Sequence, residues 1–196
     1  MTASSPHEAL RSDDALGPFV ERYGRLEPDV EPDLFRRLVV SVLQQQISMA
    51  AAEATRERLF EAVDVTPEGI SETDPETLRD CGLSRQKAEY VRNVAEAFEG
   101  EYDRAYFEGV DDERVIEELT TITGVGEWTA RMQLLFSLGR PDVFPVGDLG
   151  VRKGMWSLFD DGMTRGEMTA EAERWAPYRS YATVYLWRIG ADDDPA

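Results

Sequence analysis

The chain has 196 residues, 42% of them hydrophobic, with 39 acidic against 21 basic side chains and a formal net charge of −18. That length buries a core without staples, and apolar residues run along most of it, which excludes a disordered chain. The single cysteine, Cys81, and the single histidine, His7, exclude a disulfide framework, a Cys₄ iron–sulfur cluster, a Cys/His zinc site and a Ser-His-Asp triad. His7 lies in a polar N-terminal stretch and reads as an exposed bystander, so acid/base work falls to carboxylates.

The longest apolar runs, such as Leu38 to Leu43, are too short to span a bilayer, and the opening residues lack the charged-then-apolar pattern of a secretory leader. The expected location is the cytoplasm, with no membrane partner. So acidic a chain repels nucleic acid at low salt, or else is adapted to concentrated salt, where screening confines surface charge to a few ångströms. The basic side is lopsided, with two lysines, Lys87 and Lys153, against 19 arginines. Between Leu119 and Phe159 the acids are only Glu127, Asp142 and Asp148, set against Arg131, Arg140, Arg152 and Lys153. A stretch spared from general acidification either meets an anion or is buried.

Apolar residues recur at helical spacing and no convincing strand alternation appears, so the expected fold is all-α: a compact two-lobed helical bundle in a single domain over 1–196. A helix is expected from Pro32 to Gln46, with Leu34, Phe35, Leu38, Val39, Val42 and Leu43 on one face and Pro32 at its first position. An alanine-rich helix follows from Ser48 to Val63. Asp74-Pro75 starts a short helix that Gly82 ends, and Ser84 caps the next, which carries Ala88, Val91, Val94, Ala95 and Phe98. Further helices are expected over Asp111 to Leu119, Glu127 to Leu138, Leu149 to Phe159, Arg165 to Trp175 and Tyr178 to Ile189, before a frayed acidic tail at 191–196.

Within the segment 119–130, Leu119-Thr-Thr-Ile122-Thr-Gly124-Val125-Gly126-Glu127-Trp128-Thr129-Ala130, two glycines flank one apolar residue between two helices. Glycine leaves the backbone bare for close approach, and successive amides beside a helix N-terminus form an anion site that needs no basic side chain. A DNA phosphate fits such a site, and so does the blander reading of a packed helix–turn–helix corner.

Leu-x-x-Ile-x-Gly-Val-Gly-x-x-Thr-Ala resembles the helix-hairpin-helix of the DNA glycosylase superfamily, whose other mark is a Gly/Pro-rich loop ending in aspartate. That loop is here Val143-Phe144-Pro145-Val146-Gly147-Asp148. The chain is most similar to the AlkA-type 3-methyladenine DNA glycosylases, through Leu43-Gln44-Gln45-Gln46-Ile47-Ser48, Gly82-Leu83-Ser84-Arg85-Gln86-Lys87-Ala88, and Trp175-Ala-Pro-Tyr-Arg-Ser-Tyr-Ala182 leading to Tyr185-Leu186-Trp187. The likeness runs from Leu34 to Ile189. It departs from longer relatives in lacking a β-rich N-terminal domain, and from the endonuclease-III branch in lacking four cluster cysteines.

The resemblance implies a monofunctional glycosylase of base-excision repair acting on 3-methyladenine and 7-methylguanine in double-stranded DNA. Asp148 takes the catalytic role, stabilising the oxocarbenium-like sugar or orienting water, and it also suits a helix N-cap. Trp128 stands where bifunctional members carry the Schiff-base lysine, and tryptophan cannot be that nucleophile. Trp128 and Trp187 are candidate walls of the base pocket, or core residues. Met132 and Leu149 replace tyrosines of some relatives, which leaves the substrate range open. Gln46 is the candidate wedge into the gap left by the flipped nucleotide. Gly124, Val125, Gly126, Thr129 and Lys153 are candidate DNA contacts. The main-chain carbonyls of Thr120, Ile122 and Val125 are candidate ligands for K⁺ or Na⁺, with no other cofactor required and a monomer expected. Two other readings remain: a glycosylase for uracil, hypoxanthine or oxidised guanine, and a non-catalytic helix-hairpin-helix module, which would have no use for the Asp148 carboxylate.

Overall fold

The computed structural model describes residues 5–100 and 102–192, which hold helices and no strand. The helices are α1 (Pro6–Arg11), α2 (Gly17–Tyr23), α3 (Leu34–Gln44), α4 (Met49–Ala62), α5 (Pro67–Glu72), α6 (Pro75–Asp80), α7 (Arg85–Phe98), α8 (Arg104–Glu108), α9 (Asp112–Thr120), α10 (Glu127–Phe136), α11 (Leu149–Leu158), α12 (Arg165–Ala172) and α13 (Arg179–Asp192), with a 3₁₀ turn over Glu173–Trp175. None is long and apolar enough to cross a membrane. By contact density the chain divides into two units: one continuous, residues 30–138, the other built from both chain ends, residues up to 29 and from 139 onward.

In the continuous unit, α3 places Leu34, Phe35, Leu38, Val39, Val42 and Leu43 in the core, as its periodicity predicts. Its start differs from the sequence reading. Asp33, not Pro32, opens the helix, because the Asp33 carboxylate accepts the Arg36 N–H at 2.9 Å and caps the first turn. Its end differs too: the chain leaves the helix after Gln44, not Gln46. Fully buried Gln133 ties α10 to α3, donating to Ser41 Oγ at 3.0 Å and accepting from Ser137 Oγ at 3.0 Å. A buried amide so satisfied fixes the register of two helices that apolar packing alone would let slide.

In the other unit, the core is Leu10, Leu16, Val20, Phe144, Val151, Met155, Met168, Trp175, Tyr185, Leu186 and Ile189 with two alanines. Glycine sets its main helix crossing. A Cβ on Gly154 of α11 would lie 2.2 Å from the Leu186 carbonyl of α13, and one on Gly190 of α13 would lie 2.9 Å from the Gly150 carbonyl of α11, so the two backbones touch. His7 is a correction: it is half-buried, edge-on to Tyr181 and Tyr185, with Nε2 2.8 Å from the Leu26 carbonyl. A carbonyl only accepts, so Nε2 carries the proton, and the ring packs α1 onto its own core.

Four short helices, α1, α2, α5 and α8, were not expected, and the segment expected as one helix over Arg165 to Trp175 tightens into 3₁₀ at Glu173. Residues 191–192, expected as part of a frayed tail, end α13, and the rest of that tail lies outside the described residues. The charge-poor stretch from Leu119 to Phe159 alternates core and surface: Ala130, Met132, Leu134, Leu135, Val143 and Val151 are buried, while Thr120, Thr121, Thr123, Gly126, Glu127 and Leu149 are exposed.

Candidate functional site

The candidate residues fall into two sets, each within one unit. The first is the hairpin between α9 and α10. Ile122 accepts the Val125 N–H at 2.9 Å, Gly124 adopts φ +107°, and α10 starts at Glu127 with Gly126 as a cap that offers no side chain. Gly124 is required twice over: its backbone is left-handed, and a Cβ there would fall 2.3 Å from the Tyr90 ring. A Cβ on Gly126 would meet nothing within 4 Å, so this side of the turn lies open to an incoming group. The first amides of α10 lack intrahelical partners, so they remain available to an acceptor. Glu127 in that first turn opposes an anion, and its ion pair with Arg131 at 3.0 Å offsets the charge.

Beside the hairpin is a groove of about 800 Å³ lined by the α3–α4 connection, α7 and the start of α10. Gln46, Trp128, Gly124, Val125, Gly126 and Thr129 all border it. Among the described residues that line it there is no carboxylate and Lys87 is the one cation, in a chain with 39 acidic side chains. Lys87 donates to the Leu43 carbonyl at 2.6 Å, and burial pushes its ammonium below the usual lysine range. The α3–α4 connection is only Gln45, Gln46 and Ile47 before Ser48 caps α4. Gln46 sits exposed at φ +58°, the left-handed region that side chains rarely adopt. Ile47 beside it is 41% exposed, a bare apolar side chain that the sequence did not single out. Thr129, expected as a DNA contact, has its side chain buried: its hydroxyl accepts from Gln45 Nε2 at 3.3 Å, so only its main chain is available to a phosphate.

The second set surrounds Asp148. The carboxylate is the N-cap of α11, its Oδ1 accepting the Val151 N–H at 3.0 Å and the Trp187 indole N–H at 2.8 Å. Gly150 makes this contact sterically feasible, since a Cβ there would fall 2.7 Å from the Trp187 ring. The loop that carries Asp148 is fastened to the start of α13. Arg179 grips Asp142 with two nitrogens at 2.8 and 2.9 Å, and Ser180 Oγ donates to the Arg140 carbonyl at 2.6 Å while accepting the Val143 N–H at 2.9 Å. Sequence reasoning found the Trp175–Ala182 motif without finding this clamp. Lys153 lies on α11 one turn beyond the cap, half-buried, with its Cβ against Gly190. Leu149, beside Asp148, is 53% exposed, whereas Met132 is core.

Of the candidate cation ligands, the Ile122 carbonyl already accepts the Val125 N–H at 2.9 Å. Among the described residues no group of three or more His, Cys, Asp or Glu could hold a metal ion.

Residues 39–179 match the family described as HhH-GPD superfamily base excision DNA repair protein. The chain belongs to that superfamily. A Bacillus subtilis relative, YfjP, is 30% identical over 186 residues, 89% of this chain, which spans 65% of that protein's length. Schizosaccharomyces pombe DNA-3-methyladenine glycosylase 1 is 35% identical over 163 residues, 79% of this chain and 71% of its own. A solved structure of the S. pombe 3-methyladenine DNA glycosylase in complex with abasic DNA superposes with a TM-score of 0.88 at 31% identity, covering 98% of this chain and all of that one. In this HhH-GPD protein the matched span includes both the hairpin and the Asp148 loop.

Proposed function

We propose that this HhH-GPD protein is a monofunctional DNA glycosylase that hydrolyses the N-glycosidic bond of alkylated purines, 3-methyladenine and 7-methylguanine among them, in double-stranded DNA. The observation that carries the reading is the Asp148 carboxylate, held by the Trp187 indole and the Val151 amide at the end of the Pro145-containing loop. A purine alkylated at N3 or N7 is cationic. The C1′–N bond breaks with its electron pair going to the base, which leaves neutral, and positive charge develops on the sugar. A fixed carboxylate stabilises that charge, and water adds at C1′ with loss of a proton, leaving an abasic site. Trp128 at the hairpin position supports hydrolysis without strand cleavage, because its side chain forms no Schiff base.

The hairpin amides of Gly124 to Gly126 receive a DNA phosphate, Lys153 a second, and a monovalent ion on the Thr120, Ile122 and Val125 carbonyls would add positive charge beside the first. Gln46 fills the space of the extruded nucleotide, and Trp128 or Trp187 offers an aromatic face to a cationic base. The acid-rich composition supports work in concentrated salt, where the surface charge is screened.

The test is release of methylated bases from alkylated duplex DNA in molar KCl. Asp148→Asn is the decisive variant: asparagine caps helices as well as aspartate, so stability is retained while the charge is lost. We expect free methylated purine, strand breaks only after alkali, and a fall of about 10² to 10³ in rate for Asp148→Asn. Release only from uracil, hypoxanthine or oxidised-guanine DNA would redirect the substrate assignment. DNA binding unchanged by Asp148→Asn, with no base released from any of these, would establish a binding module instead.

A further inference from the structure

The exposed Gln46 is the residue that the proposed function sends into DNA, and it stands on the three-residue connection between α3 and α4. A left-handed backbone at a non-glycine residue persists only where its surroundings over-determine it. Two contacts do so here. On one side, Lys87 Nζ takes the Leu43 carbonyl, one of the last four carbonyls of α3 that have no helical partner. On the other, the neighbouring Gln45 turns inward, its Nε2 donating to the Gly124 carbonyl at 3.0 Å and to Thr129 Oγ1 at 3.3 Å. Gly124 is the left-handed residue of the hairpin and Thr129 lies in the first turns of α10. One amide group thus joins the loop that presents Gln46 to the turn that offers its amides to phosphate. Gln45 is extended and Gln46 left-handed, and along this turn the Gln45 side chain goes inward to the hairpin while Gln46 stays exposed.

We infer that Gln45 is a positioning residue: its amide bridge to the Gly124 carbonyl and Thr129 hydroxyl fixes Gln46 in the exposed conformation that fills a gap in the duplex, and couples that insertion to phosphate capture by the hairpin. This rests on the role given to Gln46 above. The bridge needs a donor, so the same-sized Gln45→Glu places a carboxylate against a carbonyl oxygen and breaks it, and Gln45→Met removes it with less electrostatic cost.

The experiment compares, for the full chain, affinity for a duplex carrying a tetrahydrofuran abasic analogue with affinity for the intact duplex, alongside the melting temperature. Wild type is expected to prefer the abasic duplex, and Gln46→Ala to lose that preference. Gln45→Met and Gln45→Glu are expected to lower it roughly tenfold while affinity for intact DNA stays within about twofold. The deciding arm is the double-mutant cycle: in the Gln46→Ala background the Gln45 substitutions should have no further effect on the preference, because nothing remains to be positioned. Equal losses in both backgrounds, or Gln45 variants with wild-type preference, would overturn the inference while leaving glycosylase activity untouched. A wild type with no abasic preference would overturn the Gln46 role and this inference together. The base-release assay decides the activity separately, so the two failures are told apart.

Discussion

Gln46 and Trp187 show how single side chains in this protein are placed at a cost or with a second use. At φ +58°, glutamine occupies backbone space that glycine takes freely. Gln46→Gly is therefore expected to leave stability unchanged or raise it by up to about 1 kcal/mol, since relief of the left-handed residue opposes the added freedom of the unfolded chain. Binding to abasic DNA should fall in the same variant. Melting temperature and affinity moving apart in this way would mark the residue as kept for function, whereas a clear loss of stability would show that its side chain serves the fold. Trp187 gives a sharper division. Its indole N–H is bonded to Asp148 Oδ1, and Trp187→Phe removes that donor while keeping an aromatic face. We expect kcat/KM to fall about tenfold for a lost hydrogen bond to a charged group, with the fold intact. Full activity in the phenylalanine variant would assign Trp187 to packing or stacking alone.

At the scale of elements, the α11–α13 crossing decides where Asp148 and Trp187 meet, and it rests on glycine. A methyl on Gly154 would need the Leu186 carbonyl, 2.2 Å away, to retreat, so Gly154→Ala is expected to destabilise by about 1–3 kcal/mol, read as a lower urea midpoint at unchanged slope. Gly166 on α12 is exposed with no neighbour closer than 4.0 Å to its added Cβ, and Gly166→Ala should stabilise by about 0.5–1 kcal/mol through helix propensity alone. Opposite signs for one chemical change would confirm that contact, not propensity, governs the crossing. This crossing was not legible in the sequence, because glycine at three helical positions looks the same whether it meets a backbone or water. The long helices were legible, since α3 and α7 each carry enough turns for their apolar stripe to repeat. The four short ones were not, being under two turns, although the caps of three stood in plain view: Ser5-Pro6 with Glu8, Thr66-Pro67 and Asp103; α2 starts after Leu16 with no side-chain cap. In the candidate site, Asp148, the two glycines and Gln46 could be named because they belong to contiguous motifs. Gln45 and the Arg179–Ser180 clamp could not, because their partners lie 37 or more residues away.

For the whole molecule, a net charge of −18 acts on every conformation the chain adopts, but most strongly on the folded one, where the carboxylates are closest. Opposing this are ion pairs such as Arg56–Glu53, Arg79–Glu76 and Arg114–Glu117, local to one helix and exposed. Each is worth little and each weakens with salt. The sign of the salt effect therefore depends on whether general repulsion or these pairs dominate. With 18 uncompensated negative charges, repulsion should. Raising KCl shortens the Debye length from about 10 Å at 0.1 M to about 3 Å at 1 M, which screens repulsion between separated carboxylates more strongly than it weakens the pairs in contact. The melting temperature is expected to rise through this range and then level, because KCl acts here by screening rather than by exclusion from the surface. Calorimetry at stepped KCl checks it. A fall from 0.1 M onward would show that the arginine–carboxylate pairs stabilise the fold more than the net charge opposes it, and would remove the case for adaptation to salt. A rise that levels near 1 M would also fit the proposed DNA partner: at that ionic strength the repulsion reaches little beyond contact, so the groove beside the hairpin, with no carboxylate among its described lining residues, could meet a phosphate backbone.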